Sequence, residues 1–325
     1  MKKVFAAALS LWVATFSAVP AWCVAPYTVE QTYRVLQITA EDFIADLKGA
    51  EVSEQDIASF LKELGQEIDS QEALTEENFD SVLFAAMYRI LQSGSYNNLY
   101  IAMVSLYSEQ MSTMLATREI PEEFQPLYRT VKACLLGAEE LQIFSDVPAG
   151  HWAKESVEAL VVDGIVNGMG GGRFAPEETV SREQFVKMAV DCLGLEASEE
   201  PLPFTDAKKG EWYYPYVAAA YQNNIISGVS DTAFGVEQPM QRQDMAVVID
   251  RILQAKGVSL PQQADVFEIF KDGDQIDFYA QEAVKRLCRG GLIAGVSQRE
   301  FAPHALVTRA QAARMIDQMR LALAQ

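Results

Sequence analysis

Along the first part of the chain, apolar residues recur at intervals of three and four between polar ones. This spacing places them on one face of an α-helix, and prolines stand only at position 26 and at positions 121 and 126. The spacing is clearest in two runs, which are Tyr33, Leu36, Phe43, Ile44 and Leu47, then Ile57, Phe60, Leu61, Leu64 and Ile68. Residues 26–141 are therefore predicted to form a compact helical bundle.

One predicted helix of this bundle, from Asn97 to Leu115, is rich in methionine and tyrosine. Flexible methionine side chains fill irregular interiors well, so a central core helix is the favoured interpretation. A face that binds a partner protein is the alternative. The residues concerned are Tyr100, Met103, Leu106, Tyr107, Met111 and Met114.

The pattern changes near residue 142, after which one unit occurs three times, over residues 142–200, 201–263 and 264–325. Each copy opens with Phe-x-Asp, passes an aromatic residue, a loop glycine and a second phenylalanine, and ends in a tetrad that contains arginine. The glycine precedes the phenylalanine by six residues, and the phenylalanine precedes the arginine by eight, in every copy. This agreement predicts three copies of one structural unit.

Each unit is predicted to be a helix, a glycine-containing loop and a second helix. The loop glycine suits a left-handed helix C-cap. Ser181 and Thr308 suit the N-cap of the second helix, whereas Gln241 is a weaker cap. Because so small a unit cannot bury its own apolar face, the three units should pack together in a pseudo-threefold arrangement. The whole chain is thus predicted to be mainly α.

The first 25 residues have the order of a secretory signal peptide, with Lys2 and Lys3 before an apolar run and small residues after it. We expect cleavage near Ala21 or Ala25, and therefore export. No later stretch approaches the ~20 consecutive apolar residues of a membrane span, so the mature chain is predicted to have no transmembrane span.

The formal net charge of -19 argues against broad binding to nucleic acid or to an anionic membrane. Acidic residues are concentrated at the front, with a net charge of -13 over residues 26–141 and -8 over residues 144–325. The ordinary interpretation of this excess is a solvated exterior that resists association. Local basic groups would have to bind any anionic ligand.

Residues that carry catalytic or metal chemistry are few. The four cysteines form no Cys-x-x-Cys pair, and His151 and His304 have no paired nucleophile. Residues 272–277 are similar to half of a calcium loop, but Ala283 stands where such loops carry a bidentate glutamate. The sequence therefore predicts no catalytic residue, no metal site and no cofactor.

The ordered set of motifs over residues 144–325 resembles the S-layer homology family, as three tandem domains. The resemblance implies a cloverleaf-like, mostly helical body with a central three-helix bundle. Grooves between repeats are then expected to bind a secondary cell-wall polymer that often carries a pyruvate ketal, or a peptidoglycan-linked polyamine. The arginine of each tetrad is implied as a main ligand contact, which gives Arg182, Arg242 and Arg309.

The chemistry of these arginines agrees with an anionic glycan, since a planar guanidinium can hold a carboxylate at two points. The alternative is an ion pair between each arginine and an aspartate of its own repeat, and core packing is the alternative for the tryptophans. Differences between copies leave open how many grooves bind. The remaining candidates are Trp152 and Trp212 for sugar faces, Gly168, Gly228 and Gly295 for close approach to the backbone, and Asp146, Asp206 and Asp272.

The favoured function is a noncatalytic envelope protein, held to the cell wall or cell surface by residues 144–325. Its N-terminal domain would have a structural purpose or bind a partner protein. One alternative is a wall-bound enzyme with its active site in residues 26–141, although that segment contains no histidine. Another is a tether between peptidoglycan and an outer membrane.

Overall fold

The computed structural model describes residues 27–69, 78–117, 120–121, 124–136, 142–261 and 270–324, so the predicted signal peptide lies outside it. These residues form twelve α-helices and only isolated β-bridges, which confirms the prediction of a mainly α fold. No helix within these ranges is long and apolar enough to cross a membrane. The chain divides into two compact units between Gln142 and Ile143.

The described residues of the N-terminal unit form a bundle of six helices around an apolar core. Helix α1 packs against α3 and α6, while α3 packs against α4 and α2 against α5. A cavity of about 110 Å³ remains in this core, between apolar and aromatic side chains such as Leu64, Leu83 and Met103. The helices are α1 (Val29–Thr39), α2 (Glu41–Gly49), α3 (Glu54–Asp69), α4 (Phe79–Gln92), α5 (Asn97–Thr117) and α6 (Gln125–Leu136).

Helix α5 is a core helix along only one of its faces. Leu99, Ala102 and Met103 are buried, as the favoured interpretation predicted. The opposite face exposes apolar side chains, and Ile101 is 63% exposed. The others on this face are Tyr100, Val104 and Leu106.

In the second unit, each repeat contributes two helices, and the first helix of one repeat packs against the second helix of another. Helix α9 packs on α8, α11 on α10, and α7 on α12, so the contacts run around a closed ring. Helix α12 also contacts α8 and α10 at the centre. The helices are α7 (Lys154–Val162), α8 (Arg182–Cys192), α9 (Tyr214–Gln222), α10 (Arg242–Ala255), α11 (Gln281–Arg289) and α12 (Arg309–Leu323).

Three backbone hydrogen bonds close this ring just before the second helices. The N–H of Val180 donates to the carbonyl of Val307, Val307 donates to Met240, and Met240 donates to Val180, each at 2.9 Å. The three residues occupy the same position in their repeats and are buried. The repeats are therefore related by a pseudo-threefold arrangement, as the sequence predicted.

The helix caps agree with the sequence in part. Ser181 and Thr308 each form a capping box at the start of the second helix, and Gln241 makes no side-chain cap. The left-handed residue after the first helix stands four positions before the loop glycine, at Gly164, Asn224 and Gly291. The prediction that the loop glycines provide this cap is therefore wrong for Gly168, Gly228 and Gly295, because none of them has a positive φ.

Candidate ligand-binding grooves between the repeats

The aspartate of each Phe-x-Asp motif holds the loop of its own repeat. Asp146 accepts the backbone N–H groups of Phe174 and Ala175, both at 2.8 Å. Ala175 has a φ of 59°, a left-handed conformation that is costly for alanine and that this carboxylate stabilises. The corresponding bonds run from Phe234 and Gly235 to Asp206, and from Phe301 and Ala302 to Asp272, at 2.7 to 2.9 Å.

The three tetrad arginines reach into a neighbouring repeat. The Nε of Arg309 donates to the carbonyl of Phe174 at 2.8 Å, and its Nη2 donates to the carbonyl of Asn167 at 3.0 Å. Its guanidinium also lies over the Phe174 ring, 4.6 Å from the centroid. These contacts join the second helix of repeat three to the loop of repeat one.

The same contact recurs around the ring. Arg242 donates to the carbonyl of Ala294 and lies over the Phe301 ring at 5.1 Å, which joins repeat two to repeat three. The Nε of Arg182 donates to the carbonyl of Phe234 at 3.2 Å, which joins repeat one to repeat two. The tetrad arginine of each repeat therefore donates a hydrogen bond to the loop of the next repeat around the ring.

The alternative of ion pairs within a repeat is wrong for these arginines. Within the described ranges, none of the three pairs with the aspartate of its own Phe-x-Asp motif; Arg182 instead pairs with Asp244 of repeat two, at 2.9 Å. Arg309 is 5% exposed and Arg242 is 8% exposed. Burial lowers the pKa of both guanidinium groups, and backbone carbonyls are their hydrogen-bond acceptors.

The loop glycines are required by close packing. A Cβ atom on Gly228 would lie 2.3 Å from the carbonyl oxygen of Ala233, and one on Gly295 would lie 2.5 Å from that of Glu300. Both distances are shorter than real contacts of a Cβ atom. At Gly168 the nearest atom would be the Cε1 of Phe144 at 2.9 Å, so this position is less crowded.

The two tryptophans lie on the surface. Trp152 is 57% exposed and Trp212 is 51% exposed, so the alternative of core packing is wrong for both. Tyr279, which stands at the equivalent place in repeat three, is 58% exposed. Each repeat therefore presents an aromatic ring to solvent at this equivalent position.

An open groove of about 330 Å³ has walls from all three repeats, and we call it the central groove. The loop of repeat two and helix α10 form two sides, while Arg182 and Tyr279 come from the other repeats. The Tyr279 hydroxyl donates to one oxygen of Asp244 at 2.5 Å, and Arg182 bonds the other oxygen. Burial and this bond to Asp244 raise the pKa of Tyr279, so its hydroxyl stays protonated at neutral pH.

Sequence reasoning named Arg182 and Gly228 in the central groove but missed, among other lining residues, Asp244, Arg251 and Tyr279. Asp244 and Tyr279 were visible only as variants within the motifs. Arg251 follows the tetrad arginine by nine residues, and the same position holds Asp191 and Gln318 in the other copies. Comparison of the copies at this position could have indicated it. Its Nη1 donates to the Ser227 hydroxyl at 3.2 Å.

Other reactive side chains offer little chemistry. Cys134 and Cys288 are buried, and burial raises the pKa of each thiol to about 11. Such thiols stay protonated at neutral pH and are weak nucleophiles. In the part of the chain that the structure describes, no group of three histidine, cysteine or acidic residues could hold a metal ion.

The family model of the S-layer homology domain matches residues 143–186, 203–246 and 269–313. An endoglucanase of Bacillus sp. (strain KSM-635) is 31% identical over 54% of this chain and 18% of its own length. The surface-layer 125 kDa protein of Lysinibacillus sphaericus is 30% identical over 53% of this chain and 14% of its own. An S-layer protein of Bacillus thuringiensis subsp. finitimus is 28% identical over 53% of this chain and 21% of its own length.

The chain carries three tandem S-layer homology domains, which confirms the family resemblance. Domains of this family bind cell-wall polymers, and the two surface-layer relatives support a location at the cell wall or cell surface. It spans only about a fifth or less of the length of these three relatives.

Proposed function

We propose that the protein is an exported, noncatalytic envelope protein that binds an anionic secondary cell-wall polymer without a covalent bond. The observation that supports this most is the central groove, which is lined by Arg182, Arg251 and Tyr279 and by a single carboxylate, Asp244. Two guanidinium groups against one acid give a local positive excess in a chain of net charge -19. Such an excess favours an anionic ligand.

A pyruvate ketal would meet complementary groups in this groove. Its carboxylate would accept N–H donors of Arg251, for which the described residues show a single hydrogen bond, to the Ser227 hydroxyl. Gly228 also lines the groove, and the nearby carbonyls of Ala233 and Ser230 leave no room for a side chain at this position. The exposed rings of Trp152 in repeat one and Trp212 in repeat two are available to cover apolar sugar faces.

Arg242 and Arg309 have a structural role in this proposal, because both are buried, donate to backbone carbonyls and lie over a phenylalanine ring of the next repeat; the Nε of Arg242 has no hydrogen-bond partner among the described residues. Arg182 has both roles, since it fastens the Phe234 carbonyl and also lines the central groove. The three tetrad arginines therefore have different roles: Arg242 and Arg309 stabilise the fold, and Arg182 both stabilises the fold and lines the binding groove.

The noncatalytic assignment rests on the N-terminal segment. Residues 26–141 contain no histidine and a single cysteine, Cys134, whose buried thiol has a raised pKa. The exposed apolar face of α5, which includes Ile101, supports a structural or partner-binding purpose for this unit. Incubation of the protein with wall polysaccharides and wall peptides should release no product; release of sugars or peptides would contradict the assignment.

The experiment that tests polymer binding is sedimentation of the protein with purified walls, before and after chemical removal of the secondary polymer. Arg251→Ala should lower retention severalfold without lowering the thermal midpoint. Arg299→Ala, which removes an exposed arginine of repeat three, is the matched control and should bind as the wild type does. Retention that survives removal of the polymer would overturn the proposal.

A further inference from the structure

Repeat two differs from the other repeats at three positions that lie close together. Tyr221 is 37% exposed, whereas its counterparts Val161 and Cys288 are 2% and 1% exposed. The other two positions hold Asn224 and Arg251. Their counterparts are Gly164 and Gly291 for Asn224, and Asp191 and Gln318 for Arg251.

All three of these residues line a second concavity of about 630 Å³, which we call the side hollow. Its walls also include Glu200 and Gln222. Ile226, Ser227 and Arg251 line both the side hollow and the central groove. The two concavities therefore adjoin, with the Arg251 guanidinium between them.

The backbone at Asn224 indicates that its side chain is there for a reason. Its φ is 57°, in the left-handed region where glycine is favoured, and the other two repeats have glycine at this position. Asparagine tolerates this conformation better than most residues but gains nothing over glycine from it. In repeat two this position therefore keeps the helix end that glycine provides in the other repeats and adds an amide to the lining of the side hollow.

The remaining groups of the side hollow suit uncharged sugar units. The Tyr221 ring is held by an edge contact with Phe204, with the ring centroids 5.2 Å apart, and can stack on a sugar face. Asn224 and Gln222 each offer a donor and an acceptor to hydroxyl or acetamido groups. Glu200 places a carboxylate at the same wall, which disfavours a second acidic unit.

We propose that the side hollow is a second subsite, which binds a neutral sugar unit of the same glycan whose acidic unit lies in the central groove. This inference rests on the proposed function, because it assumes that the central groove binds an acidic glycan. Arg251 lies between the two subsites and contacts both units. Only repeat two has the side hollow's aromatic, amide and cation together. Repeat two is therefore expected to contact more sugar units of the glycan than the other repeats do.

Isothermal titration with two probes tests this subsite. The short probe is the methyl glycoside of one pyruvylated hexosamine, and the long probe carries the same unit followed by two neutral N-acetylhexosamines. Wild-type protein should bind the long probe at least about fivefold more tightly, a gain of roughly 1 kcal/mol. Tyr221→Ala and Asn224→Gly should remove that gain and leave the affinity for the short probe unchanged.

Asn224→Gly is the sharper variant, because it restores the residue of the other repeats and relieves the backbone, so loss of folding cannot explain a loss of binding. Phe278→Ala is the matched control for Tyr221→Ala, since Phe278 is 91% exposed and lies in another repeat; it should keep the full gain. Arg251→Ala should weaken both probes.

The outcomes separate the two levels of the proposal. If wild-type protein binds both probes equally, or if Asn224→Gly and Tyr221→Ala keep the gain, the second subsite is refuted while the acidic site in the central groove stands. If wild-type protein binds neither probe, the acidic site itself is refuted, and the second subsite with it.

Discussion

The two units of this protein are stabilised in different ways. The N-terminal bundle has helices of nine to twenty-one residues whose apolar faces meet in a shared core, and that core still contains a cavity of about 110 Å³. The second unit has helices of nine to fifteen residues, and buried polar contacts join its repeats. Arg309 and Arg242 are examples, since each is almost inaccessible and donates to a neighbouring loop.

The difference follows from the size of the building block. A helix pair with a long loop has too little apolar surface to fix the loop by packing alone. The loop carbonyls and N–H groups must therefore find partners inside the unit, and the arginines and loop aspartates provide them. Substitutions that remove a polar partner should consequently affect the second unit far more than surface changes do.

The largest effect is expected for Arg309→Ala. This change leaves the carbonyls of Phe174 and Asn167 without their donor and removes the cation over the Phe174 ring. We expect a loss of about 2–4 kcal/mol in the free energy of unfolding of the repeat unit. Urea denaturation followed by tryptophan fluorescence measures it, with Arg299→Ala as the control; equal midpoints for the two variants would refute the structural role.

Gly228→Ala should have the next largest effect. The added Cβ would lie 2.3 Å from the Ala233 carbonyl and 2.4 Å from the Ser230 carbonyl, so the backbone must shift, at a cost of about 1–3 kcal/mol. Gly168→Ala should cost less, because its nearest contact is the ring of Phe144 at 2.9 Å. Gly150→Ala, in open space, is the control; calorimetric midpoints should fall in that order.

Asp206→Asn tests the loop aspartates and their dependence on pH. Burial opposes ionisation of Asp206, but the N–H groups of Phe234, Gly235 and Val236 outweigh it and lower the pKa below its usual value. A lowered pKa in the folded state contributes stability at neutral pH, and that contribution is lost as the pH falls through it, below about pH 4. We expect Asp206→Asn to lose about 1–2 kcal/mol at pH 7.

The free energy of unfolding should be measured for Asp206→Asn and for wild type at pH 7 and at pH 3. The difference between the two proteins should be smaller at pH 3. Asp231→Asn removes an exposed aspartate of the same repeat and should match wild type at both. A gap that is constant with pH would show that the carboxylate charge has no part in holding the loop.

The smallest effect, and one of opposite sign, is expected in the N-terminal bundle. Leu83 lines the cavity, and Leu83→Phe should fill part of it and raise the stability of this unit by about 0.5–1.5 kcal/mol. Leu321→Phe, at a position that is 46% exposed, should change little. Thermal denaturation followed by circular dichroism measures both; a destabilised Leu83→Phe would show that the bundle core is already closely packed.

The sequence predicted the elements of the repeat unit well, because they depend on local patterns. Residues that are close together in the sequence determine the Ser181 and Thr308 caps. The same is true of the apolar faces of the first helices. The direction of the arginines could not be predicted in this way. Arg309 meets the Asn167 carbonyl, which is 142 residues away along the chain, and only the closed ring brings them together.

The sequence predicted grooves between the repeats, but it did not predict most of the residues that line the central groove. Arg182 was named, yet its partner Asp244 belongs to the next repeat, and the hydroxyl of Tyr279 comes from the third. Three chain segments that are distant in sequence meet there. Motif spacing within one copy carries no information about such a meeting.

The backbone hydrogen bonds among Val180, Met240 and Val307 fix how many members this array can have. Each member gives one bond and receives one, so a pair would leave a buried donor and a buried acceptor unmatched, and a fourth member would find no opening. An array of two or four such members would therefore need a different pattern of backbone hydrogen bonds at its centre.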